Sequence, residues 1–111
     1  MENHTGEEIT CHRIPVSVTR REGNWVWGSC GKMYKFVAKV YDTGSAHGID
    51  GGRVSKLSIC RIDKLACYTR ETTTASYDRD WDIEPETEED FVVCLAVLSC
   101  MEHLPPSFPE A

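Results

Sequence analysis

Apolar and polar positions alternate through the middle of the chain and merge into one dense apolar stretch near its end. Ile14, Val16 and Val18 alternate with Arg13, Ser17 and Thr19, the period of a strand with one buried face. Pro15 places that strand at a sheet edge or at its own start. Residues 20–24 read as a turn. Trp25, Val26 and Trp27 begin a second strand, with both indoles on one side of it. Residues 28–31, which include two glycines, mark a turn or bulge. The clearest strand spans 33–41. There Tyr34, Phe36, Ala38 and Val40 share one face, while Lys35 and Lys39 share the other with Val37 between them. A glycine-rich connection follows over 42–53. Further strands are predicted over 54–62, over 66–69 across a turn at Asp63-Lys64, and over the β-branched run 72–77.

The apolar stretch has a different period. Phe91, Leu95 and Leu98 recur at helical spacing, and Val92, Ala96 and Val97 widen the stripe. Thr87 is the predicted N-cap, with Glu88, Glu89 and Asp90 in the first turn, where carboxylates complement the helix dipole. Pro105-Pro106 ends the helix. A helix this apolar is expected to be buried on most sides, by the sheet or by another chain. The fold class that follows is α+β: an antiparallel sheet of about five strands with one C-terminal helix packed on one face. The expected boundaries are a flexible tail over 1–10, a single domain over 11–104 and a C-terminal tail over 105–111.

Length changes this picture little. At 111 residues the chain holds one domain with a modest core and no room for a large internal cavity. That favours a binding protein over an enzyme, and no catalytic activity or cofactor is expected. The N-terminus is acidic and polar, unlike a signal peptide, and the run from Phe91 to Leu98 is too short to span a bilayer. The expected location is the cytoplasm. Six cysteines, at 11, 30, 60, 67, 94 and 100, are then expected to be reduced, several of them as small core hydrophobes.

Charge changes the picture more. Net charge is −6, but it is segregated. Residues 10–64 carry ten Lys/Arg against four acids, and residues 65–111 carry two against eleven. Eight acids fall between Asp78 and Asp90. A block of this kind governs partner choice rather than fold.

Candidate chemistry is sparse. Gly48, Asp50, Gly51, Gly52 and Arg53 form a weak ligand-binding candidate, a glycine-rich loop that can turn backbone N–H groups toward a phosphate. It lacks the Gly-Lys-Ser/Thr ending of a P-loop, and a hairpin connection with positive-φ positions is the better account. Asp78, Asp80 and Asp82 open like a calcium loop, but Ile83 stands where that loop needs glycine. In an extended segment these three carboxylates share one face, with Arg79 and Trp81 on the other. Cys100 and His103 stand at i, i+3 without a tight Cys-x-x-Cys pair to complete a zinc site, so no metal is expected. Lys32, Lys35, Lys39, Arg53 and Lys56 suggest nucleic-acid binding, with Tyr34, Phe36 and Trp27 as stacking rings. Strand alternation sets those rings against the face opposite Lys35 and Lys39, and with the net acidity this makes nucleic acid an unlikely partner.

Three segments carry a resemblance: Lys39-Val40-Tyr41-Asp42, then Gly48-Ile49-Asp50-Gly51-Gly52-Arg53-Val54-Ser55-Lys56-Leu57, then Tyr77-Asp78-Arg79-Asp80-Trp81-Asp82-Ile83-Glu84-Pro85. Their order and spacing resemble a family of small uncharacterised proteins from Firmicutes and their phages. The resemblance implies a small mobile-element protein, a class in which many members bind a host machine. The resulting expectation is a non-catalytic protein-binding protein, such as an anti-CRISPR-like inhibitor of a host defence or nucleic-acid enzyme. It would dock on a basic host surface through Asp78, Asp80, Trp81, Asp82, Glu84 and Glu86, as a monomer or as a homodimer through the C-terminal helix.

Overall fold

The computed structural model describes residues 7–11 (backbone only), 14–62 and 69–105. Among the described residues seven strands form one antiparallel sheet in simple meander order: β1 (Glu7–Cys11), β2 (Ile14–Glu22), β3 (Trp25–Cys30), β4 (Tyr34–Val40), β5 (Val54–Arg61), β6 (Thr73–Asp78) and β7 (Trp81–Ile83). The helix α1 (Glu88–Glu102) closes the chain. The class is therefore α+β with one C-terminal helix, as the pattern predicts. The sheet is wider than expected because β1 takes up part of the segment read as a tail and pairs with β2 from Glu7↔Val18 to Cys11↔Ile14. Three-residue β7 adds the other edge. The strand expected over 66–69 lies almost wholly outside the described residues.

Local chemistry explains the hairpins. Between β2 and β3, Gly23 takes φ 57° at the first central position of a two-residue loop, as primed hairpin turns require. Residues 28–30 do not turn. They continue β3, and the turn comes at 31–33, with Gly31 at φ 62°. Gly28 is instead a packing glycine. A Cβ there would run into the Ser17 carbonyl and the ring of Phe36, which lies across it.

Val16, Val26, Phe36, Ala38, Leu57, Ile59 and Ala75 form the sheet side of the core. Val93, Ala96, Val97, Cys100 and Met101 of α1 pack onto them. Full burial of a side chain such as Phe36 contributes about 1.5–3 kcal/mol. The helix is capped as its sequence predicts: Asp90 N–H donates to Thr87 Oγ1 at 3.0 Å. It is not buried on most sides, however. Phe91 and Leu95 are 52% and 37% exposed on its outer surface. One helix on one sheet leaves the far side of the helix uncovered, whatever its composition.

The cysteines divide. Cys30, Cys94 and Cys100 are buried, as small core hydrophobes would be. Cys60 is disulfide-bonded, so the all-reduced expectation does not hold for it. No helix among the described residues is long and apolar enough to cross a membrane.

Candidate nucleic-acid interface

With α1 on one face, the other face of the sheet carries no helix among the described residues. Its content follows from register. β3 and β4 pair Trp25↔Lys39, Trp27↔Val37 and Ser29↔Lys35, so both indoles stand on the same face as both lysines. β5 adds Lys56, opposite Lys39. A bulge in β2 between Val18 and Arg20 brings Arg20, rather than Thr19, opposite Trp27. Tyr34 and Phe36 lie on the core face, as alternation predicts. Trp27 does not join them, and the expectation that these rings and the lysines occupy opposite faces fails for it.

The rings and cations are interleaved. Trp25 and Trp27 have centroids 6.4 Å apart and planes tilted by 34°. The Arg20 guanidinium lies 4.4 Å from the Trp27 ring centre. The Lys39 ammonium stands 5.5 Å from the Trp25 ring and 5.5 Å from the Tyr41 ring. Such contacts hold a cation beside a π-face without withdrawing it from solvent. Trp25 and Tyr41 are 36% and 37% exposed. Two carboxylates temper the charge. Glu22 pairs with Arg20 at 2.9 Å, and Asp78 lies 3.7 Å from Lys56 Nζ. Both pairs are largely exposed, where a competing phosphate meets little resistance.

Two hollows lie along this face. One, of about 510 Å³, is lined by Thr19, Arg20, Trp27, Ser29 and Lys35 among others. The second, of about 390 Å³, lies where β4 runs into the glycine-rich connection, and Lys39, Tyr41, Ser45, His47, Lys56 and Arg79 line it.

The glycine-rich loop contributes to this second hollow, though not through the residues expected. Gly48 and Gly44 are packed so closely against the backbone of Gly52 and Gly51 that a Cβ at either would clash. The stretch thus folds back on its own short turn at Ile49–Gly51, where Asp50 and Gly51 adopt φ 54° and 74°. Arg53 is committed elsewhere. Its Nε donates to the Tyr41 carbonyl, and its guanidinium also donates to the Glu102 carbonyl at 2.8 Å. The Glu102 carboxylate accepts the N–H groups of Arg53 and Val54. Arg53 therefore ties the connection to the end of α1, Gly48, Asp50, Gly51 and Gly52 belong to the short turn before it, and Gly44, Ser45 and His47 form the hollow's wall.

The acidic run is dispersed rather than gathered. A tight turn with Arg79 at φ 70° interrupts the extended segment expected there, so Asp78 ends β6, Asp80 sits in the turn and Asp82 belongs to β7. Asp80 Oδ1 accepts the Trp81 N–H at 2.8 Å. Trp81 packs against the core and meets Tyr77 edge-on at 5.1 Å. Asp90 is 9% exposed and accepts a 2.8 Å hydrogen bond from Tyr34 Oη. Burial first, and then that carboxylate, push the Tyr34 phenol well above its ordinary range. Asp82, Glu84 and Glu86 stay exposed. Cys100 is buried, and the His103 ring meets the Ser99 carbonyl at 2.8 Å. Among the described residues no three His, Cys, Asp or Glu side chains gather as a metal-holding group.

A family model described as a domain of unknown function (DUF7678) matches residues 24–102. The chain belongs to this family. The DUF7678 match runs from the β2–β3 turn to the end of α1, so it takes in both indoles, the lysines of β4 and β5, and the second hollow. Arg20 and the rest of β2 lie outside it. No curated protein and no solved structure matches the chain. Sequence pattern did not assign Arg20, Trp25, Tyr41, His47 or Arg79 to a site. A signal for Trp25 existed: it flanks Val26, and a buried Val26 turns both indoles outward.

Proposed function

We propose that the open face of the sheet is a non-catalytic binding surface for single-stranded nucleic acid. Bases stack on Trp25, Trp27 and Tyr41, while Arg20, Lys35, Lys39 and Lys56 neutralise phosphates. The observation that carries this reading is the β3–β4 register, which sets both indoles among the lysines. Stacking on such a platform contributes about 1–3 kcal/mol per base and tolerates any base. A duplex keeps its bases stacked inside and is read by elements that enter a groove, whereas a single strand can lay its bases on a sheet. The net charge of −6 does not oppose this, because binding responds to the local field and half of the eighteen acids lie between Asp78 and Glu102.

Fluorescence anisotropy with labelled single-stranded oligonucleotides tests the reading. Trp27→Ala should weaken binding by about 1–3 kcal/mol, the worth of one stacked base. The logarithm of the affinity should fall with the logarithm of salt at a slope of about −0.7 per phosphate contacted. Failure of DNA and RNA oligonucleotides of mixed composition to bind at low salt would sink it.

A second reading rests on Asp82, Glu84 and Glu86, exposed on β7 and the segment that leads into α1. There the chain docks on a protein with a basic surface, in the manner of a phage or mobile-element inhibitor of a host defence enzyme (anti-CRISPR-like). Reversing all three charges should then abolish capture of that protein and leave oligonucleotide binding intact. Capture that survives the reversal removes this reading.

A further inference from the structure

The second hollow differs from the rest of the open face, and it adjoins a continuous row. Trp25, Lys39 and Lys56 are cross-strand neighbours in one rank of the sheet. That rank continues to Asp78 on β6, and the hollow opens beside it, next to the β4–β5 connection, among Lys39, Tyr41, Ser45, His47, Lys56 and Arg79. Its lining holds three permanent cations and no carboxylate. Asp78, across from Lys56, lies outside the lining and is the ion-pair partner a ligand must outcompete.

The wall is built rather than draped. Ser45 N–H donates to the Gly52 carbonyl, Gly48 N–H to the Ser45 carbonyl, and His47 N–H to Ser45 Oγ. Tyr77 Oη donates to the His47 carbonyl at 3.2 Å and ties the wall to β6. Arg79 arrives from a different element, the β6–β7 turn, in a left-handed conformation that glycine or asparagine adopts more readily. A volume of about 390 Å³ lies within the range of small-molecule sites.

We propose that this hollow binds a phosphate monoester, with the attached base or sugar against Tyr41 or Trp25. A monoester brings up to about two negative charges near neutral pH and three terminal acceptor oxygens, against the single charge of a diester link. Three converging cations favour the more highly charged group. Thr43, Gly44, Ser45 and His47 wall the hollow beside Lys39 and Lys56. The ligand class is shared by two sources, the phosphorylated end of a strand and a free nucleotide. The strand-end form rests on the reading of the open face given above.

The test compares oligonucleotides of one sequence bearing a 5′-phosphate, a 3′-phosphate or hydroxyls at both ends, alongside a nucleoside monophosphate and inorganic phosphate. Binding is read by anisotropy and by amide shifts of Ser45, His47 and Lys56. The whole chain is used, with Arg79→Asn as a variant whose backbone accepts the same turn. One phosphorylated end should bind about tenfold better than the hydroxyl strand, the worth of one added charge-assisted contact. In Arg79→Asn that preference should fall to within about twofold, while the hydroxyl strand loses no more than one ordinary phosphate contact. If strands bind and neither phosphorylated end is preferred, the monoester site is overturned and the open-face reading stands. If the nucleoside monophosphate shifts the Ser45 and Lys56 amides while no strand binds, the site stands with a free nucleotide as its ligand and the open-face reading falls. If neither monoester nor strand binds, both are overturned.

Discussion

Tyr34→Phe removes a single oxygen from the core side of the sheet and separates structural from functional aromatics. Tyr34 Oη donates at 2.8 Å to Asp90, a carboxylate that is 9% exposed in the first turn of α1. The bond joins the start of β4 to the start of the helix, across a separation of 56 residues. Its loss leaves a buried carboxylate oxygen without its phenol partner. Hydrogen bonds to charged groups are worth about 1.5–3 kcal/mol, and the positive end of the helix dipole offsets part of the penalty, so about 2 kcal/mol is expected. For a domain of this size that lowers Tm by on the order of 10 °C. Urea denaturation followed by far-UV circular dichroism measures it, and a cycle with Asp90→Asn should return a coupling of about 1 kcal/mol or more. There is also a pH signature. The folded state keeps the phenol protonated above its ordinary value near 10, so this stabilisation is complete below pH 10 and lost as pH rises further. Oligonucleotide affinity of the folded variant should not change, because Tyr34 faces the helix. A destabilisation under about 0.5 kcal/mol, or a loss of binding like that of Trp27→Ala, would refute the reasoning.

Burial pushes the Cys94 thiol from 9.0 up to about 11. The folded state therefore holds its proton more tightly, and stability should be complete below pH 9 and fall by about 2–3 kcal/mol as pH rises through 11. Cys94→Ala should flatten that decline in urea titrations taken at successive pH values. Gly28→Ala forces a methyl group against the Ser17 carbonyl and the Phe36 ring. It should cost about 1–3 kcal/mol by thermal melting, and a neutral result would mean that β2 and β3 separate easily. Glu102→Ala takes the acceptor from two backbone N–H groups of the β4–β5 connection. Hydrogen exchange at Arg53 and Val54 should accelerate at least about tenfold, which is the kinetic equivalent of one ordinary net hydrogen bond.

Much of the fold was legible because its determinants are local. Tyr34-Lys35-Phe36-Val37-Ala38-Lys39-Val40 alternates with period two, and an antiparallel strand with one buried face is the only ordinary backbone that satisfies it. Thr87 followed by three acids and an apolar run carries its own helix start, and the helix begins there. Segregation of charge along the chain was visible in the same way. β1 was not legible, since Glu7, Glu8 and Thr10 offer little to bury and the strand is held by pairing with β2. The exposed stripe of α1 was not either, because apolar composition cannot say how many neighbours a helix will find.

The candidate site was decided almost wholly by tertiary structure. Alternation within β3 put Trp25 and Trp27 on one side, and alternation within β4 put Lys35 and Lys39 on one side, but neither strand states its phase relative to the other. A shift of one residue exchanges the two faces, and the shift is set by the Gly31 turn and by the packing of Phe36 across Gly28. The bulge that turns Arg20 toward Trp27 is likewise a matter of pairing. The chain's own sequence determined its strands, its helix and its charges. Register, which is non-local, decided that the indoles and the basic residues share one face and that the acidic run is divided between a turn, an edge strand and a helix cap.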